Sequence, residues 1–453
     1  MRRVIPLCVA IALTILAACN DAPPADRASP ESAAPTQTTR TATTSPAAEL
    51  VVEGVQALLD HYYQPPDAGR LFADAWDGAA SAVYAAGAKD VPKTPTFPTD
   101  AAAAATLYRD SFLALERSAD GRLSAAAIAA AALHALAVGR DDPHTSYRPR
   151  ELVQRDQATR QSDAAVQLGL GFSRSSPPSA VRVPPGSPAE KAGLRAGHVI
   201  VAVNGTPVTR GADIPAIVDV RAGVPNTFTT QDAQGRTVDH IVMPEQYVRP
   251  IEEHRVIDGR IGVIRLYGFP ATEQVIRRLR EALTEFERQG VEGWILDLRD
   301  NGGGPIETVI AVASLFLDGG PLFEEQHRGQ TLQTTSAEGQ AFAAQRPLVT
   351  LVGPGSFSGG EILPAVLRSR GRADAVGEQT GGGFGSSVAV PLSDGSALNV
   401  TTTEVVIGPD RQRLNRVGLT PDLVVASTPE DIEAGRDPQL DAALRLLGEQ
   451  LRR

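Results

Sequence analysis

Apolar residues recur along the chain with two different periods, and the change of period separates its regions. In the first region they are spaced three and four residues apart, which predicts helices with one buried face. These positions are Val51, Val55, Leu58 and Leu59, and the pattern continues in two alanine-rich segments, Leu71–Ala86 and Ala101–Val138, across proline-rich breaks. Alanine has the highest intrinsic helix propensity. We therefore expect a small helical domain over residues 49–160.

Beyond residue 250, short apolar runs alternate with amphipathic stretches. The runs are Ile261–Leu266, Trp294–Leu298 and Leu348–Val352, and the stretches include Glu273–Gln289 and Ile306–Leu317. Apolar runs of this length are typical of buried strands, and strands that alternate with helices predict an α/β architecture. We expect an α/β core with a mixed sheet over residues 250–428, followed by a C-terminal helix over residues 429–453.

The region between them, residues 165–247, has the short strand patterns and turns of a β-rich domain. It contains Leu168-Gly169-Leu170-Gly171-Phe172, an apolar Val181–Val183 segment and the run GSPAEKAGLRAGHVIVAVNG from Gly186 to Gly205. This combination resembles a PDZ domain. The resemblance implies that Leu168, Gly169, Leu170, Gly171 and Phe172 form a loop whose backbone N–H groups bind a peptide's terminal carboxylate, while the peptide adds as a strand to the sheet edge.

The first 19 residues read MRRVIPLCVAIALTILAAC, with two arginines ahead of an apolar core too short to predict a membrane span. This pattern predicts a secretory signal. Its end, Leu16-Ala17-Ala18-Cys19, resembles a bacterial lipobox, which implies that Cys19 is lipidated and anchors the protein in the bacterial cell envelope, facing the periplasm or the exterior. An ordinary signal that happens to end in cysteine is the alternative. Residues 20–48 are rich in Pro, Ser, Thr and Ala, so we expect a disordered tether there.

The composition of the chain argues against several classes of partner and cofactor. The 453 residues, 42% of them apolar, are enough for several folded domains. A net charge of −10 argues against nucleic acid as a partner. Both cysteines lie near the N-terminus and the seven histidines show no metal-ligand spacing, so we expect no structural disulfide, no metal and no cofactor.

The candidate chemistry lies in Ser356-Phe357-Ser358-Gly359-Gly360-Glu361, which follows the run Leu348–Val352 and a Gly-Pro-Gly break. Such a strand-to-helix turn lifts a hydroxyl above the sheet edge, where the N–H groups of the helix N-terminus point at an oxyanion. A serine at this place is a nucleophile or only a helix cap, and the segment alone does not separate the two.

A second glycine-rich turn, Arg299-Asp300-Asn301-Gly302-Gly303-Gly304, follows the run Trp294–Leu298. Successive glycines let the backbone approach a ligand closely and present several N–H groups in one direction. A phosphate-binding loop is the competing interpretation, but no Gly-Lys-Ser/Thr follows.

The PDZ-like unit is followed in order by LDLRDNGGG, SFSGGE, VGEQTGGG, PLSDGSAL and VGLTPD. This combination resembles the C-terminal processing (tail-specific) peptidases, a serine peptidase family that includes the tricorn core type, and the resemblance covers nearly all of the chain after the tether. It implies that Ser358 is the nucleophile and that Gly359 and the Gly302-Gly303 turn supply the oxyanion N–H groups. It also implies protein or peptide substrates, with C-terminal tails recognised by the PDZ-like domain.

One residue of the family pattern is missing. Processing peptidases of the common type carry a lysine base, and an ungapped alignment places Gly383 at that position, while no lysine follows Lys191. Tricorn-like relatives use a histidine ahead of the core, and His144 in Asp-Asp-Pro-His-Thr-Ser-Tyr stands at the corresponding place. Imidazole is a suitable base near neutral pH. We expect a Ser358/His144 pair in which Asn415, near the C-terminal Gly-x-x-Pro-Asp, orients the imidazole.

Two alternatives stay open. Lysine-type members also carry a DPH-like segment, so His144 is structural in one interpretation, and the base is then Asp141, Asp142, His327 or a lysine of a partner chain. The other alternative is a catalytically inactive family member that binds peptides or apolar ligands. The sequence indicates neither the substrate nor the oligomeric state.

Overall fold

The computed structural model describes residues 45–160, 166–173, 177–209, 211, 214–232, 234–339, 341–343, 345–428, 431 and 434–453. The predicted signal peptide, Cys19 and all but the last four residues of the predicted tether lie outside these ranges. Among the helices within them, none combines the length and the apolar character needed to cross a membrane.

The helical domain begins at Ser45, earlier than the predicted start at residue 49. The Ser45 hydroxyl accepts a hydrogen bond from the N–H of Ala47 at 3.2 Å, and Pro46 occupies the first helical turn, where its missing N–H costs nothing. The elements are α1 (Pro46–His61), α2 (Ala68–Ala85), α3 (Ala101–Ala119), α4 (Ala125–Val138), β1 (Ser146–Arg148) and α5 (Arg150–Arg160).

The core of the helical domain is aromatic and extends into the α/β region. Trp76, Tyr108 and Phe112 are fully buried, and burial of each such side chain contributes roughly 1.5–3 kcal/mol. Leu398 and Val400, from a strand of the α/β region, belong to the same cluster. The helical domain therefore packs directly on the rest of the fold.

The PDZ-like domain is β-rich, as predicted. Its elements are β2 (Val166–Gln167), β3 (Gly171–Phe172), β4 (Ala180–Arg182), α6 (Pro188–Lys191), β5 (Val199–Val203), β6 (Thr206–Pro207), α7 (Ile214–Ile217), β7 (Asn226–Gln231), β8 (Thr237–Val242) and β9 (Glu245–Gln246). The main sheet has the order β6-β5-β7-β8, while β3 pairs with β4 and β2 with β9, all antiparallel. Ile200, Phe228 and Val242 lie at the centre of its core.

The α/β core contains a mixed sheet, which confirms the predicted fold class. Its elements in chain order are β10 (Glu252–Ile257), β11 (Ile261–Leu266), α8 (Thr272–Arg288), β12 (Gly293–Asp297), α9 (Ile306–Phe316), β13 (Gly320–His327), β14 (Gln330–Ala337), β15 (Leu348–Val352), α10 (Gly359–Ser369), β16 (Asp374–Gly377), β17 (Gly385–Pro391), β18 (Ala397–Ile407), β19 (Gln412–Arg413), β20 (Leu423–Val424) and α11 (Pro438–Gln450). The mixed sheet has the order β10-β11-β12-β15-β16-β20, antiparallel at β10 and parallel elsewhere. A second, antiparallel sheet is built on β18, which pairs with β1, β13, β17 and β19.

Both faces of the mixed sheet are covered, which explains the continuous apolar runs of its central strands. On β12, Trp294 and Leu296 belong to the cluster that includes residues of α8, α9 and α10. Ile295, between them, belongs to the cluster that includes Leu447 of α11.

Two pairings bring the candidate segments together. Strands β12 and β15 are parallel neighbours, with Asp297 opposite Leu351. Because the carboxyl ends of neighbouring parallel strands meet at one sheet edge, the two glycine-rich turns that follow them lie side by side. The loop that carries His144 leads into β1, whose Tyr147 lies opposite Leu398 of β18.

Candidate active site

Ser358 lies in a strained turn between β15 and α10. Its backbone φ is +53°, a left-handed value that residues other than glycine rarely adopt, and it is half-buried at the start of the helix. The turn is tight because Gly360 lies against the carbonyl of Asn301, which a Cβ at that position would overlap. This geometry presents the Ser358 side chain at the N-terminus of α10.

Ser356, the other serine of the segment, is structural. It is fully buried, its hydroxyl donates to the carbonyl of Leu298 at 2.8 Å, and it accepts from the N–H of Gly353 at 3.1 Å. A buried hydroxyl that bridges two backbone groups is held in place and has no access to a substrate. Of the two serines, only Ser358 is placed for chemistry.

The turn around Gly302 and Gly303 packs against Ser358. The N–H of Phe357 donates to the carbonyl of Asn301 at 2.9 Å, and a Cβ on Gly303 would lie 2.9 Å from the Ser358 Cβ and 2.7 Å from the Gly359 nitrogen. Only glycine leaves this space beside the serine empty.

The backbone N–H groups around this space differ in what they bind. Among the described residues, the N–H groups of Gly302 and Gly359 donate to no other group, whereas the N–H of Gly303 donates to the side-chain oxygen of Asn301 at 2.9 Å. Gly359 and Gly302 are thus available as oxyanion donors in this state. The predicted donor role of Gly303 stays a prediction.

Glu361 ties the nucleophile turn to the segment Thr380–Gly383. Its carboxylate accepts hydrogen bonds from the N–H of Ser358 at 3.0 Å, of Gly382 at 2.9 Å and of Gly383 at 2.5 Å, and from the hydroxyl of Thr380. Burial raises the pKa of Glu361 to about 7, although these four hydrogen bonds act to lower it. One buried carboxyl group thereby fixes the glycine-rich segment next to Ser358.

His144 lies against this assembly. Its ring packs on that of Phe357, the neighbour of Ser358, with centroids 5.0 Å apart. A Cβ on Gly383 would lie 2.6 Å from the Phe357 ring and 2.8 Å from the His144 Cε1, so the two rings together fill the space that a side chain at residue 383 would need. The fold therefore brings the predicted base to the same turn as the predicted nucleophile.

A buried carboxylate holds the His144 loop. Asp142 accepts from the backbone N–H of His144 at 3.0 Å, from the Thr401 hydroxyl at 2.7 Å and from the Tyr62 hydroxyl at 3.2 Å. Thr145 adds a hydrogen bond from the Thr401 N–H at 3.2 Å. The loop is thus joined to β18 and to the end of α1, and its position does not depend on the turn alone.

Asn415 is buried near this network, but its side chain contacts a tyrosine. The side-chain amide of Asn415 donates to the Tyr63 hydroxyl at 3.1 Å, and its Oδ1 has no hydrogen-bond partner among the described residues. The orienting role of Asn415 toward His144 stays a prediction.

Comparison with known proteins assigns the chain to a family. A model of peptidase family S41 matches residues 260–425, and a PDZ-domain model matches residues 180–231. The chain is 30% identical over 338 residues to the chloroplastic C-terminal processing peptidase of Tetradesmus obliquus, covering 68% of this chain and 71% of that protein. It is 30% identical over 323 residues to the carboxyl-terminal-processing protease of Picosynechococcus sp., covering 68% and 76%. The chain belongs to the C-terminal processing peptidases of family S41.

The fold agrees with that of a solved protease. The structure of the photosystem II D1 C-terminal processing protease superimposes with a TM-score of 0.63 at 24% identity, over 89% of this peptidase and 98% of that chain. This likeness confirms the predicted mixed α/β fold, while the family models and the relatives confirm the family and the PDZ domain recognised in the sequence motifs.

In this S41 peptidase the predicted peptide-binding loop leads into β3 of the PDZ domain. Leu168 is buried in the PDZ core, its carbonyl accepts from the N–H of Ala189 at 2.9 Å, and Gly169 has a φ of +63°. Gly171 and Phe172 form β3, which pairs with β4 and with no other described strand. Peptide binding by Leu168–Phe172 stays a prediction.

Several residues that organise the peptidase site were not singled out from the sequence. Glu361 had a usable signal, because serine followed three residues later by glutamate is the pattern of a helix capping box. Asn301, Tyr62 and Thr401 had none, because their contacts join segments that are far apart in the chain. Local patterns carry no information on such contacts.

Proposed function

We propose that this protein is a serine endopeptidase of the cell envelope in which Ser358 is the nucleophile and His144 is the general base. The observation that carries the proposal is the position of His144 against Gly383. The common family pattern has a lysine at residue 383, and here the His144 imidazole lies in front of that position together with the Phe357 ring. A hydroxyl without a base nearby is a poor nucleophile at neutral pH.

The proposed reaction follows the acyl-transfer scheme of serine peptidases. The Ser358 oxygen attacks the peptide carbonyl while His144 takes the hydroxyl proton, and the N–H groups of Gly359 and Gly302 bind the resulting oxyanion. His144 then gives its proton to the departing amine, which leaves an acyl-enzyme. Water, deprotonated by His144, releases the acid and restores Ser358.

The other candidate bases are less well placed. Lys191, the last lysine of the sequence, lies in the PDZ domain and binds Glu245. His327 shares a hydrogen bond with the carbonyl of Thr402 at 2.8 Å, and Asp142 already accepts from three donors. Asp141 is exposed on the surface. These contacts favour His144.

The strain at Ser358 favours an enzyme over a binding protein. A left-handed backbone at a residue other than glycine costs about 1–3 kcal/mol and persists where the surroundings enforce it for a purpose. A purely ligand-binding relative would gain nothing from this conformation. The hydrogen bonds of the buried Glu361 carboxylate hold Ser358 in this conformation. Beside it, the N–H groups of Gly302 and Gly359 are available to bind an oxyanion.

Substrate selection and location form the finer part of the proposal. Leu168–Phe172 of the PDZ domain bind the terminal carboxylate of a protein substrate, and the C-terminal tail of that substrate then extends to Ser358. Cys19 carries the lipid that holds the protein at the envelope, with residues 20–44 as the spacer. The relatives' names describe carboxyl-terminal processing, which is the activity that we extend to this chain.

A serine-reactive fluorophosphonate probe tests the proposal. We expect the probe to label wild-type protein at Ser358, with no labelling of Ser358→Ala or of unfolded wild type. Wild type should also cleave an unfolded protein substrate, whereas Ser358→Ala should not. Absence of labelling and of cleavage in folded wild type would favour the binding-protein alternative.

A further inference from the structure

An arginine of the PDZ domain contacts the turn around Gly302 and Gly303. Arg182 ends β4, and its guanidinium is so close to Gly302 that a Cβ at that position would overlap it. The same guanidinium lies against Gly171 of the PDZ loop, where a Cβ would overlap its Nε. Arg182 therefore joins the predicted tail-binding loop to the turn beside Ser358.

The charge of Arg182 has no direct counter-ion. Its Nε is buried without a hydrogen-bond partner, and within the described part of the chain no carboxylate forms an ion pair with it. Burial and then the positive charge of Arg249 lower the pKa of Arg182 to about 10, while Asp300 acts in the opposite direction. A buried cation without a partner is costly to the fold, and an anion beside it removes that cost.

The neighbouring groups leave a local excess of positive charge. The Nε of Arg249 is also buried without a partner, and burial lowers the pKa of Arg249. The carboxylate of Asp300 is paired with Arg265, and that of Asp297 binds Arg299 at 2.7 Å. Asp297 and Asp300 are thus committed to other arginines, so neither of these two carboxylates is free to pair with Arg182.

We propose that Arg182 binds a carboxylate of the substrate beside the turn around Gly302 and Gly303, and so makes the peptidase selective for an anionic group close to the scissile bond. The proposal rests on the proposed role of Ser358, because the turn is next to that serine. A planar guanidinium matches a carboxylate with two parallel N–H bonds. The carboxylate is either an acidic side chain near the cleaved bond or the terminal carboxylate of a chain that is cut close to its end.

The test compares matched peptides. A sequence cleaved by wild type in an unfolded protein is identified by mass spectrometry and made as a quenched peptide series, with Glu or Gln at each of the three positions on either side of the cut. Each peptide is made with a free and with an amidated C-terminus. We expect kcat/KM to be about 10- to 100-fold higher for one carboxylate-bearing peptide than for its neutral partner. The Glu/Gln arm and the acid/amide arm identify the source of the carboxylate.

The variants assign that preference to Arg182. Arg182→Met should abolish the ratio while neutral peptides are still cleaved, and Arg182→Lys, which keeps the charge and loses the fork, should retain part of it. Arg236→Met, at an exposed PDZ arginine that pairs with Asp232, should leave the ratio unchanged. A ratio that persists in Arg182→Met, an equal loss for charged and neutral peptides, or no ratio in wild type would overturn the proposal.

A binding measurement separates this proposal from that for Ser358. Fluorescein-labelled versions of the same peptides are titrated into Ser358→Ala and into Ser358→Ala/Arg182→Met, with anisotropy as the readout. The preference for the carboxylate should appear in the first protein and vanish in the second. Because binding needs no catalysis, this result holds even when Ser358 is not the nucleophile. Equal affinities of Ser358→Ala for the charged and the neutral peptides would refute the carboxylate site and leave the proposed role of Ser358 untouched.

Discussion

The His144 imidazole helps to fill the space beside Gly383, where a Cβ would lie 2.8 Å from the His144 Cε1 and 2.6 Å from the Phe357 ring. The N–H of Gly383 also donates to Glu361 at 2.5 Å, which holds the backbone of this residue in place. A change at either residue therefore acts on the other. This relationship gives the base assignment a reciprocal test.

His144→Ala should lower kcat by about 10²- to 10⁴-fold, the usual contribution of a general base. Wild-type activity should fall on acidification, because a protonated imidazole accepts no proton from Ser358. Gly383→Lys alone should be inactive, since the new side chain meets both the imidazole and the Phe357 ring. In His144→Ala/Gly383→Lys the Phe357 ring can turn into the space that the imidazole leaves, so this variant should recover part of the activity, with a pH profile shifted upward because lysine has a higher pKa.

The measurement is cleavage of an unfolded protein across pH, with melting temperatures as the check on folding. His144→Ala/Ser358→Ala should be no worse than either single change, because groups that act as one unit are not additive. Cleavage by His144→Ala at the wild-type rate would remove His144 from the mechanism.

The two serines of the nucleophile segment should respond in opposite ways. Ser358→Ala should abolish cleavage and leave the free energy of unfolding nearly unchanged. Ser356→Ala should retain cleavage and lose about 1–3 kcal/mol, because the buried carbonyl of Leu298 loses a donor. Urea denaturation and kcat of both variants check this, and loss of activity in Ser356→Ala without loss of stability contradicts it.

Glu361 should make stability depend on pH near neutrality. The pKa of Glu361 is about 7 in the fold against an ordinary 4.5. The folded state thus binds the proton more tightly, so this contribution is full below pH 4.5 and is lost as the pH rises through about 7. Wild type should lose about 3 kcal/mol more unfolding free energy than Glu361→Gln between about pH 4.5 and pH 8.

Urea denaturation of both proteins at several pH values measures the difference. Glu361→Gln should also be less active at every pH, because one amide oxygen cannot serve four donors. Parallel stability curves for the two proteins would show that Glu361 does not titrate in this range.

Thr401 should support catalysis through Asp142. Thr401→Val removes the buried hydroxyl that donates to Asp142 at 2.7 Å, so the loop of His144 loses one of its attachments. We expect kcat to fall roughly tenfold with KM unchanged, and stability to fall by about 1–3 kcal/mol. Thr402→Val, at the next position of β18, is the control, and an equal effect of both changes would argue against a specific role for Thr401.

Cys19 should determine where the protein resides. Wild type should partition into the detergent phase and incorporate labelled fatty acid, whereas Cys19→Ser should do neither. Cys8→Ser, in the apolar core of the same signal, is the control. Equal partitioning of wild type and Cys19→Ser would exclude a lipid anchor at this residue.

The sequence by itself determined the element types, the fold class and the strand-to-helix turn that carries Ser358. Ile261–Leu266 and Leu348–Val352 were predicted as strands with the bounds that the structure gives, because a buried run ends where its apolar residues end. Helix starts moved by up to three residues where caps decide them, as at Ser45 and at Gly359, whereas the C-terminal helix, expected over residues 429–453, spans Pro438–Gln450. The turn at Ser358 was visible because a strand, a glycine break and a capping pattern are all local.

Only the tertiary structure decided which serine is fully buried, what lies against Gly383 and where Arg182 points. Ser356 and Ser358 lie in the same short segment of the sequence. Only the structure shows that Ser356 is the one that is buried and donates a hydrogen bond to the carbonyl of Leu298. His144 meets Gly383 because β1 pairs with β18, and Arg182 meets Gly302 because the PDZ domain packs on the core. Contacts between distant segments depend on how whole elements pack, and no local period of apolar residues encodes that packing.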